Sequence, residues 1–171
     1  GVPARAVERT AAGWRVICGR TPDGQTPQPL EADAVILAVP AGAARSLLEP
    51  FAPHAATPLA GVPYASVALV TLVYRDVVPP TGSGFLVPAR EGRSVKAATF
   101  LTAKWPHVAA DRLTVVRASV GRAGAGEDLG RGDTELAGVV AAEIAQIAGV
   151  GGRPIATRVS RWDGGLPQYL P

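Results

Sequence analysis

Reactive side chains are scarce in this chain. Cys18 is its only cysteine, and His54 and His107 are its only histidines. A lone thiol closes no internal disulfide, and one Cys with two separated His falls short of a zinc-type ligand set. No Ser/His/Asp or Cys/His arrangement can be argued, because Cys18 falls in a hairpin pattern and both His lie in proline-bearing loops. The acids are scattered. Glu127 and Asp128 share a glycine-rich loop, while Asp76 and Asp163 stand near Tyr74 and Trp162. Nothing in that spacing sets two carboxylates at the separation that acid–base catalysis needs. The run Gly121-Arg122-Ala123-Gly124-Ala125-Gly126 follows a strand pattern and invites comparison with a phosphate loop. It lacks the G-x-G-x-x-G spacing and the closing Lys-Ser/Thr of such loops, so it reads as a connection. Gly82-Ser83-Gly84 reads as a turn, and no dinucleotide fingerprint is present.

The aromatic residues offer more. The tryptophans are Trp14, Trp105 and Trp162. Trp14 sits in a strand pattern and reads as a core residue. Trp105 lies in Lys104-Trp105-Pro106-His107, a stiffened loop with cations beside a large ring. That combination suits a flat ligand bearing carboxylates, with Lys104 as a counter-charge. The alternative is a lid packed over the core. Trp162 precedes Gly164-Gly165 and reads as the end of a strand at a glycine turn.

These residues need a scaffold, and composition bounds it. The chain has 171 residues, 47% of them apolar, which suffices for one domain plus part of a neighbour. Its net charge is +3, with arginines dispersed along the chain. A nucleic-acid footprint would be clustered and interleaved with aromatics, so that class of partner is not expected. An anionic ligand or a membrane surface remains compatible. No apolar run reaches the roughly 18 residues that span a bilayer. Gly1 is not an initiator and there is no Met, so the chain is expected to be an internal piece of a larger protein.

Periodicity predicts the elements. Residues 4–10 and 14–20 form a hairpin around Ala11-Ala12-Gly13. Residues 21–29 form a polar loop. The run Ala34-Val35-Ile36-Leu37-Ala38-Val39 is continuously apolar, as in a strand buried on both faces, and Pro40 stops it. A short helix follows over 43–48. Residues 65–74 should form a central strand, followed by strands over 84–87, 95–102 and 113–120 with short links. The helix over 134–148 is the clearest. Leu136, Val139, Val140, Ile144 and Ile147 share a stripe, with Asp133 as cap and Gly149 as stop. A last strand spans 155–161. The expected class is α+β, with a mixed or antiparallel sheet and flanking helices.

Several segments, in order, carry a resemblance. They include Ala32-Asp33-Ala34-Val35-Ile36-Leu37-Ala38-Val39-Pro40, Val62-Pro63-Tyr64-Ala65-Ser66-Val67 and Gly84-Phe85-Leu86-Val87-Pro88. Ala98-Thr99-Phe100 with Lys104-Trp105-Pro106-His107 comes next, then Arg117-Ala118-Ser119-Val120-Gly121-Arg122. Arg161-Trp162 with Leu166-Pro167-Gln168-Tyr169 completes the set. Over essentially its whole length the chain resembles the middle of the flavin-dependent protoporphyrinogen/coproporphyrinogen oxidases, within the wider flavin amine oxidase group.

The resemblance implies an oxidoreductase of haem biosynthesis. The parent protein would bind FAD and oxidise coproporphyrinogen III or protoporphyrinogen IX to the porphyrin, with dioxygen as acceptor. Residues 1–50 would be a segment of a split FAD-binding domain, and 51–171 a truncated substrate-binding domain. Ala4 matches a position whose main chain meets the FAD adenine, and Trp162 a Trp packed near the flavin. Trp105 matches an aromatic flanking a substrate pyrrole, and Leu86 an aliphatic residue across the same cavity. No catalytic side chain and no metal is implied, because the flavin carries the redox chemistry. This piece alone is expected neither to retain FAD nor to be active. The parent is expected in the cytoplasm, with peripheral association with the membrane's inner face left open. Two other readings stay open: another flavin amine oxidase or desaturase, and a non-catalytic α+β ligand-binding module.

Overall fold

A computed structural model describes residues 1–108, 112–124 and 127–168. Ala125 and Gly126 of the glycine-rich run, and Tyr169 of the last motif, lie outside the described residues. The chain forms two compact units that divide between Pro63 and Tyr64. Each is taken by itself. No helix among the described residues is long and apolar enough to cross a membrane.

In the N-terminal unit, β1 (Ala4–Thr10) and β2 (Gly13–Cys18) form the expected hairpin, with Thr10 opposite Gly13. A short strand β3 (Leu30–Ala32) joins the other edge of β2. Helix α1 (Ala41–Leu48) and the single turn α2 (Pro53–Ala56) follow. Val7, Ala44, Leu47 and Ala56 are buried, and the Trp14 ring meets Phe51 at 5.2 Å between centroids. The apolar run at 34–39 is corrected here. It pairs with no strand, and Ile36 is 92% exposed. A run of β-formers becomes a strand only where a neighbouring backbone takes up its N–H and C=O groups. Among the described residues none does so.

The C-terminal unit is a five-stranded antiparallel sheet of order β5-β6-β7-β4-β8. Its strands are β4 (Tyr64–Arg75), β5 (Gly84–Leu86), β6 (Val95–Phe100), β7 (Leu113–Val120) and β8 (Ala156–Pro167). β4 is apolar on both alternations and lies between β7 and β8, as expected of a central strand. Helix α4 (Asp133–Ala148) covers one face. Its Leu136, Ala137, Val140 and Ile144 join Ala68, Val70, Leu72 and Tyr74 of β4 and Val116, Ala118 and Val120 of β7 in one core. Burying each large apolar side chain contributes about 1.5–3 kcal/mol. The helical stripe differs from expectation at two places. Ile147 is 38% exposed, its turn of the stripe being carried instead by Ile144 and Ala148. Asp133 is the first helical residue and not the cap, because Arg161 holds its carboxylate.

Pairing partners in a sheet point to the same side. The other face therefore carries Leu86 and Ala97, Thr99 and Arg117, Ser119 and Leu69, Thr71 and Arg158, and Val67 and Trp162. Helix α4 packs on the opposite face. The open face, half apolar and studded with arginine, is the surface on which the candidate residues lie.

Candidate functional site

Trp162 is set in place by an irregularity that sequence reasoning took for a strand end. β8 does not stop at Arg161. It continues to Pro167, and Asp163, Gly164 and Gly165 together oppose the single residue Ser66 between the Val67–Trp162 and Ala65–Leu166 pairs. Gly164 bends the chain with φ +54° and donates its N–H to Ser66 Oγ at 3.0 Å. Such bulges re-aim neighbouring side chains. Trp162 projects from the open face with 57% of its surface exposed. Beside it, Arg161 points to the helix side. Its guanidinium donates to Asp133 Oδ1 at 2.7 Å, Leu129 O at 2.7 Å and Arg131 O at 2.8 Å. Arg161 thereby ties β8 to the entry of α4. Asp163, Arg161, Asp133 and Val67 line a cleft of about 450 Å³ there.

Leu86 ends the short edge strand β5, opposite Ala97, and is 83% exposed. Trp105 follows not a strand but the single helical turn α3 (Leu101–Lys104), which succeeds β6. Its N–H closes that turn on Leu101 O at 2.9 Å. The ring is 45% exposed, with Lys104 Nζ 5.5 Å from its centroid and the His107 ring at 5.9 Å. The structure thus brings Lys104 and Trp105 together as a cation–aromatic pair. Leu86 stands apart from them along the β5–β6 hairpin. It faces Ala97, whereas the chain leaves the hairpin toward Trp105 from Phe100, beyond the Gly84–Thr99 pair. Ala4 begins β1, an edge strand of the N-terminal sheet, with its side chain exposed and Cys18 opposite.

Two of the acids considered above are held in ion pairs. Asp76 pairs with Arg112, and Asp128 with Arg131 at 3.1 Å. Among the described residues no cluster of three or more His, Cys, Asp or Glu side chains could hold a metal ion.

Sequence reasoning quoted Arg122 in a motif without a role and passed over Lys96. In the structure both sit at the end of the sheet marked by the Val95–Val120–Ala68–Arg161 row. Lys96 is the extra residue of a bulge between the Val95–Val120 and Ala97–Ser119 pairs. Arg122 reaches back to donate to Val87 O at 2.8 Å. Both side chains are half-buried. Burial, then the nearby Arg122 guanidinium, holds the Lys96 ammonium below its ordinary pKa.

A flavin fits some of what is present. The exposed Trp162 ring is an apolar surface of a kind that an isoalloxazine packs against, and the outer strand bearing Ala4 offers main-chain groups. The sequence has no glycine loop at a helix start to hold a pyrophosphate.

The chain is similar to known proteins in sequence and in fold. The coproporphyrinogen III oxidase of Bacillus subtilis (strain 168) is 31% identical over 82% of this chain and 30% of its own length. That of Mycobacterium leprae (strain TN) is 35% identical over 92% of this chain and 35% of its own. The chain spans about a third of the length of the curated relatives it matches. A crystal structure from Exiguobacterium sp. 255-15, described as a candidate protoporphyrinogen oxidase, superposes with a TM-score of 0.72 at 31% identity. It covers 98% of this chain and 35% of that one. Residues 1–169 match the flavin containing amine oxidoreductases, and the chain belongs to that family.

Proposed function

We propose that the protein is the central part of an FAD-dependent porphyrinogen oxidase of haem biosynthesis. It oxidises coproporphyrinogen III, or protoporphyrinogen IX, to the porphyrin and passes the electrons to dioxygen. The observation that carries this reading is that both curated relatives, matched over 82% and 92% of the chain, bear the name coproporphyrinogen III oxidase. The residues quoted above as family-like include Val67, Leu86, Thr99, Arg117, Ser119 and Trp162 of the open face, which supports the reading. In it, the N-terminal unit contributes a piece of the FAD-binding domain. The C-terminal unit is the substrate-binding sheet.

When bound, the flavin supplies the electron acceptor. This chain supplies walls and charges. Ala4 lends main-chain contact to the adenine end, and Trp162 packs near the isoalloxazine. Leu86 and Trp105 furnish apolar surface to a broad macrocycle, and Lys104 meets a peripheral carboxylate. Excluding water from the face of a reduced tetrapyrrole protects it and strengthens the polar contacts at its rim. The whole protein works in the cytoplasm, with peripheral contact to the membrane where its substrate partitions.

The test is the full-length protein. It should purify yellow and release FAD on denaturation. Aerobically it should convert coproporphyrinogen III to fluorescent coproporphyrin while forming hydrogen peroxide. A colourless full-length preparation, or one that oxidises amines and leaves both porphyrinogens untouched, would refute the assignment.

A further inference from the structure

We propose that Lys96 and Arg122 form a carboxylate clamp for the rim of the substrate. This inference rests on the proposed function, and it assigns the anionic recognition to residues other than the Lys104–Trp105 pair. Three observations carry it. The first is charge without a partner. Arg15, Arg45, Arg90, Arg112, Arg131 and Arg161 each sit on a carboxylate. Among the described residues Lys96 and Arg122 have no carboxylate partner, although both are half-buried. Glu143 lies close in the fold, but its two oxygens are taken by the N–H groups of Ser94 and Val95 at 3.1 and 2.9 Å. Two like charges near one another and partly shielded from water, with no carboxylate between them, disfavour each other unless an anion arrives.

The second observation is geometry. The Lys96 bulge departs from the regular ladder at the one place where β6 runs beside the residues leading to Arg122. Arg122 spends part of its guanidinium on Val87 O, which fixes it without neutralising it and leaves N–H groups for a carboxylate. The third is position. Lys96 and Arg122 lie at the same end of the sheet as Trp162, separated from it across β7 and β4. At about 4.8 Å per strand that separation is roughly 10–14 Å. A tetrapyrrole macrocycle with carboxylate arms spans such a gap; a small amine does not. The cation pair thus selects for ligands with peripheral carboxylates.

The clean variant is Lys96→Gln. It removes the charge while keeping the main-chain carbonyl that pairs with Val87 N–H. Arg122→Lys, which keeps charge but loses the forked donors, is the second. In the full-length flavoprotein, binding of coproporphyrin III is followed by its fluorescence at two salt concentrations. Its tetramethyl ester, which lacks the charges, serves as the comparison. Lys96→Gln should weaken coproporphyrin binding roughly tenfold and flatten its salt dependence, with ester binding unchanged. Arg122→Lys should weaken it by a smaller factor in the same direction. Equal losses for acid and ester, or no loss for either, would overturn the clamp. Because this readout needs no turnover, the two claims separate. Wild-type protein that oxidises porphyrinogen while Lys96→Gln binds normally refutes the clamp alone. Protein that binds coproporphyrin through Lys96 but oxidises nothing refutes the oxidase and leaves the clamp standing.

Discussion

Replacing Gly84 with Ala tests whether the open face is built as described. Gly84 opens β5 with φ +146°, a region that L side chains rarely adopt. A Cβ there would come within 2.1 Å of Ala98 O and 3.0 Å of Thr99 Cα. Both are backbone atoms of β6, so no rotamer change relieves the clash. β5 must move away, breaking the Gly84–Thr99 pair and loosening the Phe85–Ala98 and Leu86–Ala97 pairs that follow. The cost has two parts. Backbone strain contributes about 1–3 kcal/mol. Loosening the Phe85–Phe100 contact, now edge-on at 5.9 Å, adds about 0.5–1.5 kcal/mol. A total of roughly 2–4 kcal/mol is expected. Gly82→Ala is the control. Gly82 also has positive φ, +88°, but no atom lies within 4 Å of its Cβ position, so only the strain applies. Urea unfolding of both variants, followed by tryptophan fluorescence, should place Gly84→Ala at least 1 kcal/mol below Gly82→Ala, on the order of one aromatic contact. In the full-length protein Gly84→Ala should also weaken porphyrin binding, since β5 carries Leu86. If the two variants lose the same stability, β5 does not lie against β6 in this register, and the placement of Leu86 falls with it.

Further perturbations probe the rest of the sheet. Tyr74 is 1% exposed and its hydroxyl has no partner among the described residues, so Tyr74→Phe should stabilise the protein by about 1 kcal/mol in thermal or urea unfolding. Burial also raises the Tyr74 pKa above its ordinary 10.0. The unfolded chain therefore ionises first: the contribution is whole below pH 10.0 and is lost as pH rises through the folded value, a decline Tyr74→Phe should lack. Glu143→Ala strips two N–H groups of a charged acceptor and should cost about 2–4 kcal/mol, with Glu143→Gln costing less; a loss under 1 kcal/mol would show that this contact does not hold β6 to α4. Trp162→Ala should lower flavin occupancy of the full-length protein, read by absorbance, while leaving the urea midpoint nearly unmoved because the ring is exposed. A large stability loss with full occupancy would make Trp162 a packing residue.

The fold was legible wherever local pattern and pairing agree. The β1–β2 hairpin, the central β4 and the length of α4 follow from alternation, turn residues and a helical stripe. Where partners from afar decide, the sequence misleads. The run at 34–39 has every property of a buried strand except a neighbour. Gly164-Gly165 reads as a stop, yet Ser66 accepts the bent backbone and the strand runs on. Asp133 looks like a cap until Arg161, 28 residues later, takes its carboxylate. Each error has one cause: a polar group's partner is chosen by tertiary proximity, and periodicity carries no information about it.

The candidate site divides along the same line. Trp105 could be picked out as a large ring in a proline-stiffened loop, whereas Trp162 and Leu86 are singled out by the family resemblance; the structure leaves all three exposed. Lys96 and Arg122 could not be picked out. Nothing marks a lysine in a strand or an arginine after one as unpaired, since most such residues sit in water or on an acid. Their significance arises only when a bulge in β6 beside the end of β7 is combined with a Glu143 carboxylate already spent on main-chain N–H groups. Recognition of a charged rim is then a property of the register of two strands. A substitution that shifts β6 against β7 should disturb anion selectivity without touching either cation.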